Sequence, residues 1–458
     1  MTNRRELLKK TALATLGVMS AGIVLSHPSN TVKHYLQANN YKPEKPLTII
    51  CIGAGNRGNF YCDYQTKHPD ELKVVGVAEP IEIRKQRFSD KYKIEKKYQF
   101  NTWEEVFIMP KFADAVLITT PDQLHVQPAL KAMEMGYDIL LEKPMAVTEN
   151  DCHLLLKKQK ETQKMVAVCH VLRYTPYFRK MKEILKSGSI GEIVAVQHLE
   201  PIGYWHMAHS YVRGNWRSEK TASPIVLAKS SHDLDILLWL TENKCKSIQS
   251  FATLKQFRKD KSPVPNVMRC TDNCTIEKQC PYSAKKLYLD MNRTGWPISV
   301  ITDDLSYEGR LKAITEGQYG RCVYQCDNDV VDHQIVNMML DKEVTVSFTM
   351  SAFTNAQDLG KRMTRIMGTT GELIGNFSTI EVHNFIDNSK QIIDPAIAGA
   401  DANAGHGGGD YELVREFIHA VSEKNPTLLS SSIQDSLDSH ILAFRAEESR
   451  KNNTVINL

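Results

Sequence analysis

Three glycines with the spacing Gly53-x-Gly55-x-x-Gly58 follow a short apolar run and open a segment that can continue as a helix. The first glycine permits a tight turn, the second lets the backbone approach a pyrophosphate, and the third lets helix and strand pack closely. Asn56 and Arg57 begin the helix, whose free N–H groups and partial positive charge suit phosphate groups. The motif predicts a dinucleotide site; the alternative is a glycine turn without a ligand.

An acidic residue, Glu79, ends the next apolar run, about 20 residues further on, where such an acid binds the adenosine ribose hydroxyls of NAD. The helix that follows carries three basic residues, Arg84, Lys85 and Arg87. One of them could meet a 2′-phosphate, so NADP stays open; the alternative is a solvated helix face. We expect NAD as the cofactor, contacted by Gly53, Gly55, Asn56, Arg57, Gly58 and Glu79.

A lysine, Lys143, follows the apolar run 137–141 in the triplet Glu142-Lys143-Pro144. Oxidation of a secondary alcohol by NAD needs a base within about 3 Å of the hydroxyl that titrates near the working pH. A free lysine has a pKa of about 10.4, which burial and a nearby nicotinium charge would lower. We expect Lys143 to be the catalytic base and to lie, with Glu142, beside the cofactor; the alternative is a surface lysine at a strand end.

Strands and helices alternate from residue 47 to about residue 170, which predicts an α/β fold with a doubly wound parallel sheet. The near-continuous apolar run 113–118 is typical of a strand covered on both faces. Asp122, shortly after it, is expected to cap a helix that runs to Gly136. Ligands bind at the carboxyl ends of such strands, so further cofactor contacts are expected from Thr120, Pro121 and His125.

Beyond residue 174 polar and apolar residues alternate, which is typical of a mostly antiparallel sheet with one open face. The predicted strands are 191–200, 247–253, 321–324, 332–339, 343–350 and 363–367. We predict a signal segment over 1–30, a linker over 31–45, a dinucleotide-binding domain over 46–170, and a substrate-binding and oligomerisation domain over 171–458. The open sheet face favours a homodimer or homotetramer.

The motifs together resemble those of the Gfo/Idh/MocA oxidoreductases, whose best-known members act on glucose, inositol and related sugars. The resemblance covers residues 46–458 and includes Arg173-Tyr174, Ser231-His-Asp-Leu-Asp235, Gly368-Thr-Thr-Gly371 and Gly405-His-Gly-Gly-Gly-Asp410. It implies a Rossmann domain followed by an α/β domain whose open sheet supports oligomer contacts. It also implies a carbohydrate substrate that lies between the nicotinamide and that sheet.

The resemblance also implies roles for single residues. Lys143 matches a lysine that contacts the substrate hydroxyl, and His232 matches a histidine that completes the proton relay. The family's aspartate four residues before this histidine is Ala228 here, which leaves the identity of the base open, with Lys229 or Asp235 able to compensate. Taken alone, His232 would be a core or capping histidine. The substrate contacts expected by match are Arg173, Tyr174, His232, Asp235 and His406.

Two further segments are rich in groups that bind sugars. Residues 204–209 and 213–217 combine aromatic, His and Arg side chains, and the alternative is a partly buried aromatic loop. The glycines at 407–409 could bring backbone, His406 or Asp410 to sugar hydroxyls, and the alternative is a turn with Asp410 as the N-cap.

Ten cysteines are present. Four lie in predicted helices or strands and are expected to be buried small apolar residues: Cys51, Cys62, Cys152 and Cys169. The other set could ligate zinc, form disulfides or remain packed thiols, and its spacing matches no standard zinc pattern, so no metal is assigned. This set includes Cys270, Cys274, Cys280, Cys322 and Cys326.

Charge and hydropathy restrict the partners. The formal net charge is +4 with interspersed signs, which leaves no nucleic-acid footprint, and no internal stretch could span a membrane. Arg4 and Arg5 precede the uncharged segment 11–26, a pattern of twin-arginine export to the periplasm; the alternative is an amphipathic helix. Because this route carries folded proteins, we expect NAD to stay tightly bound and to be recycled.

The sequence thus predicts an exported NAD(P)-dependent oxidoreductase that acts on a secondary hydroxyl or ketone of a sugar, with Lys143 and His232 handling the proton. One alternative is a redox-neutral NAD-dependent glycosidase or lyase acting through a 3-keto sugar, although the known exo-glycosidases of that type lack the Glu-Lys-Pro triplet. Another is a non-catalytic sugar-binding protein on an enzyme fold.

Overall fold

The computed structural model describes residues 41–355, 361–395 and 406–458. The predicted signal segment over 1–30 lies outside the described residues, as does the predicted linker except for residues 41–45. No helix within the described ranges is long and apolar enough to cross a membrane.

The first half of the chain forms a six-stranded parallel sheet. Its strands are β1 (Leu47–Ile52), β2 (Leu72–Ala78), β3 (Gln99–Phe100), β4 (Ala115–Ile118), β5 (Asp138–Leu141) and β6 (Val166–Val168). Its helices are α1 (Asn56–Cys62), α2 (Tyr64–Lys67), α3 (Glu82–Tyr92), α4 (Trp103–Val106), α5 (Val126–Glu134) and α6 (Glu149–Thr162). The strand order β3-β2-β1-β4-β5-β6 reverses between β1 and β4, where such sheets bind ligands. The predicted doubly wound sheet is confirmed.

The second half builds a nine-stranded sheet. Its strands are β7 (Ile193–Gly203), β8 (Cys245–Thr253), β9 (His333–Leu340), β10 (Thr345–Thr354), β11 (Met363–Gly368), β12 (Gly371–Gly375), β13 (Ile380–Asn384), β14 (Lys390–Ile393) and β15 (Ile456–Asn457). The order is β14-β13-β12-β11-β7-β10-β9-β8-β15, and β7 runs parallel to β10 while the other pairs are antiparallel. The prediction of a mostly antiparallel sheet is confirmed.

The helices of the second half are α7 (Pro176–Lys186), α8 (Tyr204–His206), α9 (Ile225–Ala228), α10 (Ser231–Thr241), α11 (Ala284–Tyr288), α12 (Ile298–Ile301), α13 (Tyr307–Glu316), α14 (Gly409–Ser422) and α15 (Ile433–Asn452). Among them α7, α9, α10 and α15 pack in the core of this sheet. A π-helix, Met207–Arg213, continues α8, so the segment predicted as an aromatic loop is helical. Along β9 the residues Val336 and Met338 are buried while Ile335 and Met339 are exposed, which leaves the other face open.

The predicted strand over 321–324 is wrong. The run contains a bridge to the segment before Cys270 but then turns, because the N–H of Gln325 bonds to the carbonyl of Cys322 at 2.9 Å. This run belongs to a long insertion between β8 and β9, residues 254–332, which carries α11, α12 and α13. Its side chains do not alternate in exposure, because Cys322, Val323 and Tyr324 are all buried and pack in the core of the nine-stranded sheet.

The two halves share their cores. Tyr411, Val414 and Phe417 of α14 pack in the same cluster as Ile49 of β1, so α14 returns to the nucleotide-binding half. His440 of α15 accepts a hydrogen bond from the N–H of Met145 at 2.9 Å. The boundary at residue 170 separates the sheets, whereas α14 packs in the core of the first half and α15 contributes to the cores of both halves.

The helix caps match the sequence patterns only in part. Thr148 caps α6, with its hydroxyl accepting the N–H of Asp151 at 3.2 Å. Asp122 is not an N-cap, because its carboxylate accepts the indole N–H of Trp216 at 2.9 Å instead. Asp410 is not one either, since Gly408 caps α14 with a positive φ of 93° that suits glycine.

Candidate functional site

The glycine turn after β1 has the form that a dinucleotide needs. Gly53 has φ of +96°, and a Cβ there would lie 2.7 Å from the carbonyl oxygen of Thr119. A Cβ on Gly58 would lie 2.2 Å from the carbonyl oxygen of Gly53, so helix and strand pack as closely as expected. A Cβ on Gly55 would meet nothing within 4 Å. The turn is therefore closed on the protein side and open at Gly55, which fits a pyrophosphate against the backbone.

Glu79 lies under the same turn. Its carboxylate accepts the N–H of Ala54 at 2.9 Å and the N–H of Ile81 at 3.0 Å, and the residue is buried. These bonds fix the carboxylate at the carboxyl end of β2, and each oxygen keeps a further lone pair for a ribose hydroxyl. Its negative charge disfavours a 2′-phosphate at that place.

The three basic side chains of α3 already have partners. Arg87 donates to Asp303 at 2.8 Å, and Arg84 lies 4.0 Å from the same carboxylate. Lys85 pairs with Glu82 at 2.7 Å. Asp303 belongs to the insertion, which therefore reaches the helix beside the adenosine end of the predicted cofactor site. These contacts favour NAD over NADP.

Lys143 lies directly after β5, at the edge of the sheet that carries the glycine turn. Its Nζ donates to the carbonyl oxygen of Ala228 at 2.7 Å. Burial lowers the pKa of Lys143 from its ordinary 10.5, against the opposing charges of Glu142 and Asp122. The alternative of a surface strand-end lysine does not describe this environment. Ala228, which replaces the family's aspartate, thus contacts Lys143 through its backbone.

A chain of ion pairs connects the glycine turn with the Glu-Lys-Pro triplet and the glycine-rich loop before α14. Arg57 donates to Glu142 at 2.6 Å and to Asp410 at 2.6 Å, and Asp410 lies 3.1 Å from Nδ1 of His406. Burial opposes ionisation of Asp410, but Arg57 and His406 hold the pKa of this carboxyl well below its ordinary value. Arg57 therefore positions Glu142, and through it the backbone of Lys143.

His232 lies at the start of α10 and is buried. Burial, followed by the charge of Lys143, lowers the pKa of His232 well below its ordinary value, so the ring is neutral at pH 7. Its Nδ1 has no hydrogen-bond partner among the described residues, and its ring centroid lies 6.1 Å from that of His406. A neutral imidazole with a free nitrogen can exchange a proton with a substrate hydroxyl.

Lys229 is a second lysine at this site. Burial lowers the pKa of Lys229 to about 8, and the charge of Lys143 contributes to that decrease. Its Nζ lies 3.7 Å from Glu200. Of the two residues considered able to compensate for Ala228, Lys229 is close enough to Lys143 for their charges to interact. Asp235 is held elsewhere, because Arg173 binds both of its carboxylate oxygens at 2.7 Å.

Several residues expected at the ligand have structural contacts instead. Arg173 and Asp235 form that buried pair, and the hydroxyl of Tyr174 bonds to Ser431 at 2.7 Å with the side chain fully buried. His125 places its ring nitrogens against the carbonyls of Pro144 at 2.7 Å and Thr120 at 2.9 Å. These four side chains hold the site together and have no free polar atom to offer.

Thr120 and Pro121 lie where β4 approaches the glycine turn. The backbone N of Thr120 lies 2.9 Å from the position of a Cβ on Gly53, and Pro121 is exposed. The hydroxyl of Thr120 donates to the carbonyl of Leu124 at 3.1 Å. Thr120 thus packs against the glycine turn at Gly53, and the cofactor contacts of Thr120 and Pro121 stay a prediction.

Aromatic side chains cluster around His206. The rings of Trp205 and Trp296 lie 5.3 Å apart, and Trp296 also contacts the ring of His206 at 4.9 Å. Burial, with the charges of Lys229 and Lys143 among the contributors, lowers the pKa of His206 well below its ordinary value. Trp205 and Trp296 are half-buried, and the guanidinium of Arg293 lies 5.8 Å from the ring centroid of Trp205. Trp296 was not predicted from the sequence, although this residue follows the turn-like run Arg293-Thr294-Gly295.

A glycine turn with an open position for a pyrophosphate, next to a lysine whose pKa is lowered by burial, is the arrangement expected of a dinucleotide-dependent oxidoreductase. A model of the Gfo/Idh/MocA oxidoreductases, described as having an NAD-binding Rossmann fold, matches residues 47–170. The model of the C-terminal α/β domain of the same family matches residues 182–458. The chain belongs to the Gfo/Idh/MocA oxidoreductase family. It is an enzyme of this class, and its cofactor is NAD.

Relatives agree with this assignment. The oxidoreductase YteT of Bacillus subtilis is 25% identical over 321 residues, 67% of this chain and 72% of its own length. The inositol 2-dehydrogenase of Salmonella typhimurium is 27% identical over 201 residues, 44% of this chain and 56% of its own length. This chain thus matches about half of that dehydrogenase.

Solved structures share the fold. An oxidoreductase from Agrobacterium radiobacter, in complex with NAD+, L-tartaric acid and magnesium, has a TM-score of 0.66 at 14% identity, covering 90% of this chain and 98% of its own. An inositol dehydrogenase homolog from Azotobacter vinelandii, complexed with NADH and myo-inositol, has a TM-score of 0.63 at 13% identity, covering 91% and 98%.

Proposed function

We propose that the protein oxidises a secondary hydroxyl, or reduces the corresponding ketone, on a sugar or sugar derivative. The observation that carries the proposal is the buried Nζ of Lys143, held by the carbonyl of Ala228 at the same sheet edge as the open glycine turn. Trp205 and Trp296, which cluster with His206, add aromatic rings that could pack against the C–H groups of a sugar. The inositol dehydrogenase relatives support a polyol substrate.

The proton is handled by this chain's own residues. In its neutral form Lys143 keeps one N–H bond to Ala228 and directs its lone pair at the substrate hydroxyl, whose proton it accepts. His232, neutral and with a free Nδ1, orients the same hydroxyl or passes the proton on. When bound, NAD supplies the hydride acceptor. Residues Gly55 and Glu79 would hold its pyrophosphate and ribose.

The function is tested with purified protein and a panel of sugars, inositols and aryl glycosides. Stoichiometric formation of NADH absorbance with a free sugar or polyol supports the oxidoreductase. Release of the aglycone with no net change in the cofactor would replace it with the redox-neutral glycosidase. Bound nucleotide without either reaction would indicate a non-catalytic binding protein.

The pH dependence of oxidation depends on Asp122. Because the negative charge of Asp122 raises the pKa of Lys143, the isosteric Asp122→Asn should lower that pKa. Oxidation needs neutral Lys143, so kcat/KM rises with pH through this pKa, and the inflection should move to lower pH in the variant. The measurement is a kcat/KM profile against pH, with Glu134→Gln on the surface as the matched control. An inflection that moves to higher pH, or stays in place, contradicts the assignment of Lys143 as the base.

Cofactor selectivity is expected to depend on Asp303. Asp303→Ala frees Arg84 and Arg87 for a 2′-phosphate, so the affinity for NADP should rise roughly two- to fivefold, the effect of a partly exposed ion pair. The affinity for NAD should stay unchanged. Titration of both cofactors by protein fluorescence measures this. Equal NADP affinity in the wild type and the variant would show that the Asp303 contacts do not set the selectivity.

Export remains a proposal that rests on the sequence of residues 1–26. We propose that the twin arginines direct the folded, NAD-loaded protein to the periplasm. Fractionation of cells that express the wild type or an Arg4→Lys, Arg5→Lys variant tests this. If the wild type and the variant stay in the cytoplasm to the same extent, the proposal of export is wrong.

The open sheet face supports the proposed homodimer or homotetramer. It exposes Phe251, which pairs with Ile335 across β8 and β9, and the exposed side chains of Met339 and Phe353. Exposed apolar side chains grouped on one face favour association. Light scattering of the full chain, with Ile335→Lys as the test variant, should show a multimer that the variant dissociates; a monomeric wild type would contradict it.

A further inference from the structure

The insertion over residues 254–332 contains a group of cysteines that the oxidoreductase chemistry does not use. Cys270, Cys274, Cys280 and Cys322 line one cavity of about 20 Å³. A cavity of this size has room for about one water-sized particle, which excludes an organic ligand. We propose that these four cysteines bind one structural Zn²⁺ ion.

The backbone brings the four cysteines together from separate turns. The N–H of Cys270 bonds to the carbonyl of Gly320 at 2.9 Å, and the N–H of Cys322 bonds to that of Met268 at 2.8 Å, so an antiparallel bridge sets Cys270 beside Cys322.

Cys274 and Cys280 flank a turn that bends back to the same cavity. The N–H of Cys280 bonds to the carbonyl of Ile276 at 2.9 Å, and the carbonyl of Cys274 accepts the N–H of Glu277 at 3.2 Å. Three of the cysteines thus come from one segment and Cys322 from another, and four cysteines are a standard ligand set for structural zinc although their spacing here follows no standard pattern.

A buried cation at the cavity points to an anion there. Arg213 is fully buried and lines the cavity. It donates to the carbonyls of Arg321 and Tyr282, each at 2.7 Å, and lies 3.6 Å from Sγ of Cys270, while its third nitrogen, Nη1, has no partner. Within the described residues no carboxylate pairs with Arg213. A negative charge at the cavity would stabilise this buried guanidinium, and the thiols are the groups placed to supply it.

This charge distinguishes zinc from the alternatives. Disulfides and protonated thiols are neutral and would leave Arg213 uncompensated. Zn²⁺ with four thiolates is anionic, and its formation releases one proton from each thiol to solvent. The backbone N–H of Ala284 also points at Sγ of Cys270, at 3.4 Å, a contact that stabilises a thiolate.

Binding of the ion requires the cysteine sulfurs to come closer together than they are in the structure. No three His, Cys, Asp or Glu side chains of the described ranges already stand in a metal-binding arrangement. The proposal therefore requires the partly exposed side chains of Cys274 and Cys280 to turn toward the cavity, because zinc binds sulfur at about 2.3 Å. The ion would fix the insertion, which carries Trp296 and Asp303 to the active-site half of the molecule.

The test uses the full chain, produced with added Zn²⁺ and purified without chelator. Elemental mass spectrometry should find about one zinc per chain, and Cys274→Ser should reduce it at least about tenfold. The matched control Cys326→Ser should keep the zinc, because that thiol donates to the carbonyl of Cys322 and lies outside the cavity lining.

A second measurement on the wild-type protein tests the proposal even if the Cys274→Ser variant fails to fold. Wild-type protein loaded with Co²⁺ should show the sulfur-to-metal charge-transfer band and the d–d bands of a tetrahedral tetrathiolate. Metal-free wild-type protein whose four thiols react freely would overturn the proposal. A mass that shows loss of the thiol hydrogens would overturn it as well, in favour of disulfides.

Discussion

Lys143→Met is expected to lower kcat by about 10²- to 10⁴-fold, the usual contribution of a positioned base. Methionine retains the length and the apolar stem of lysine but has no nitrogen to accept the hydroxyl proton. The affinity for NAD should change little, because the glycine turn and Glu79 do not contact this side chain. Steady-state kinetics with the best substrate and a separate NAD titration measure the two effects.

The control for this variant is Lys131→Met, on the surface of α5, where the lysine is half-exposed and pairs with Glu134. It should leave kcat and NAD affinity unchanged. A Lys143→Met enzyme with wild-type turnover would remove Lys143 from the mechanism and leave Lys229 as the next candidate. Loss of NAD binding together with turnover would instead assign Lys143 a structural role.

Gly55→Val is expected to abolish tight NAD binding while the protein stays folded. Gly55 has φ of −73°, a backbone that any residue adopts, and a Cβ there meets no protein atom within 4 Å. The valine side chain would therefore cost little in stability but would fill the space through which a pyrophosphate reaches the backbone. We expect the dissociation constant for NAD to rise at least about tenfold, which is about 1.4 kcal/mol.

Thermal unfolding and NAD titration separate the two parts of this prediction. Gly295→Val, at another glycine with open surroundings, is the matched control and should keep wild-type NAD affinity. Gly53→Ala should behave differently, because its Cβ would collide with the backbone of Thr119 and destabilise the fold itself. Unchanged NAD affinity in Gly55→Val would place the cofactor elsewhere.

The dinucleotide half was predictable because its information is local. The apolar runs, the glycine spacing and the acid after β2 each follow from neighbouring residues, and the structure confirms the parallel sheet and the turn. The capping of α6 by Thr148 was readable for the same reason. The run 321–324 shows the limit of such patterns, since a short alternation also arises inside a turn-rich insertion.

The substrate side depends on contacts between distant residues. Arg173, Tyr174 and Asp235 belong to motifs shared with sugar-binding enzymes, yet Arg173 pairs with Asp235 and Tyr174 with Ser431 in the interior. No spacing rule predicts such a pair. Trp296 reaches the site from an insertion with no regular pattern, so nothing local indicated its place. The roles of Lys143, His232 and His406 remain predictions that the geometry supports.

The most direct measurement is a crystal structure of the protein with NAD and a bound polyol. Our account predicts the pyrophosphate on the backbone of Gly55 and a polyol hydroxyl within about 3 Å of Nζ of Lys143, on the side that the nicotinamide faces. A cofactor whose redox ring lies away from Lys143, or a polyol whose hydroxyls contact other groups only, would contradict it.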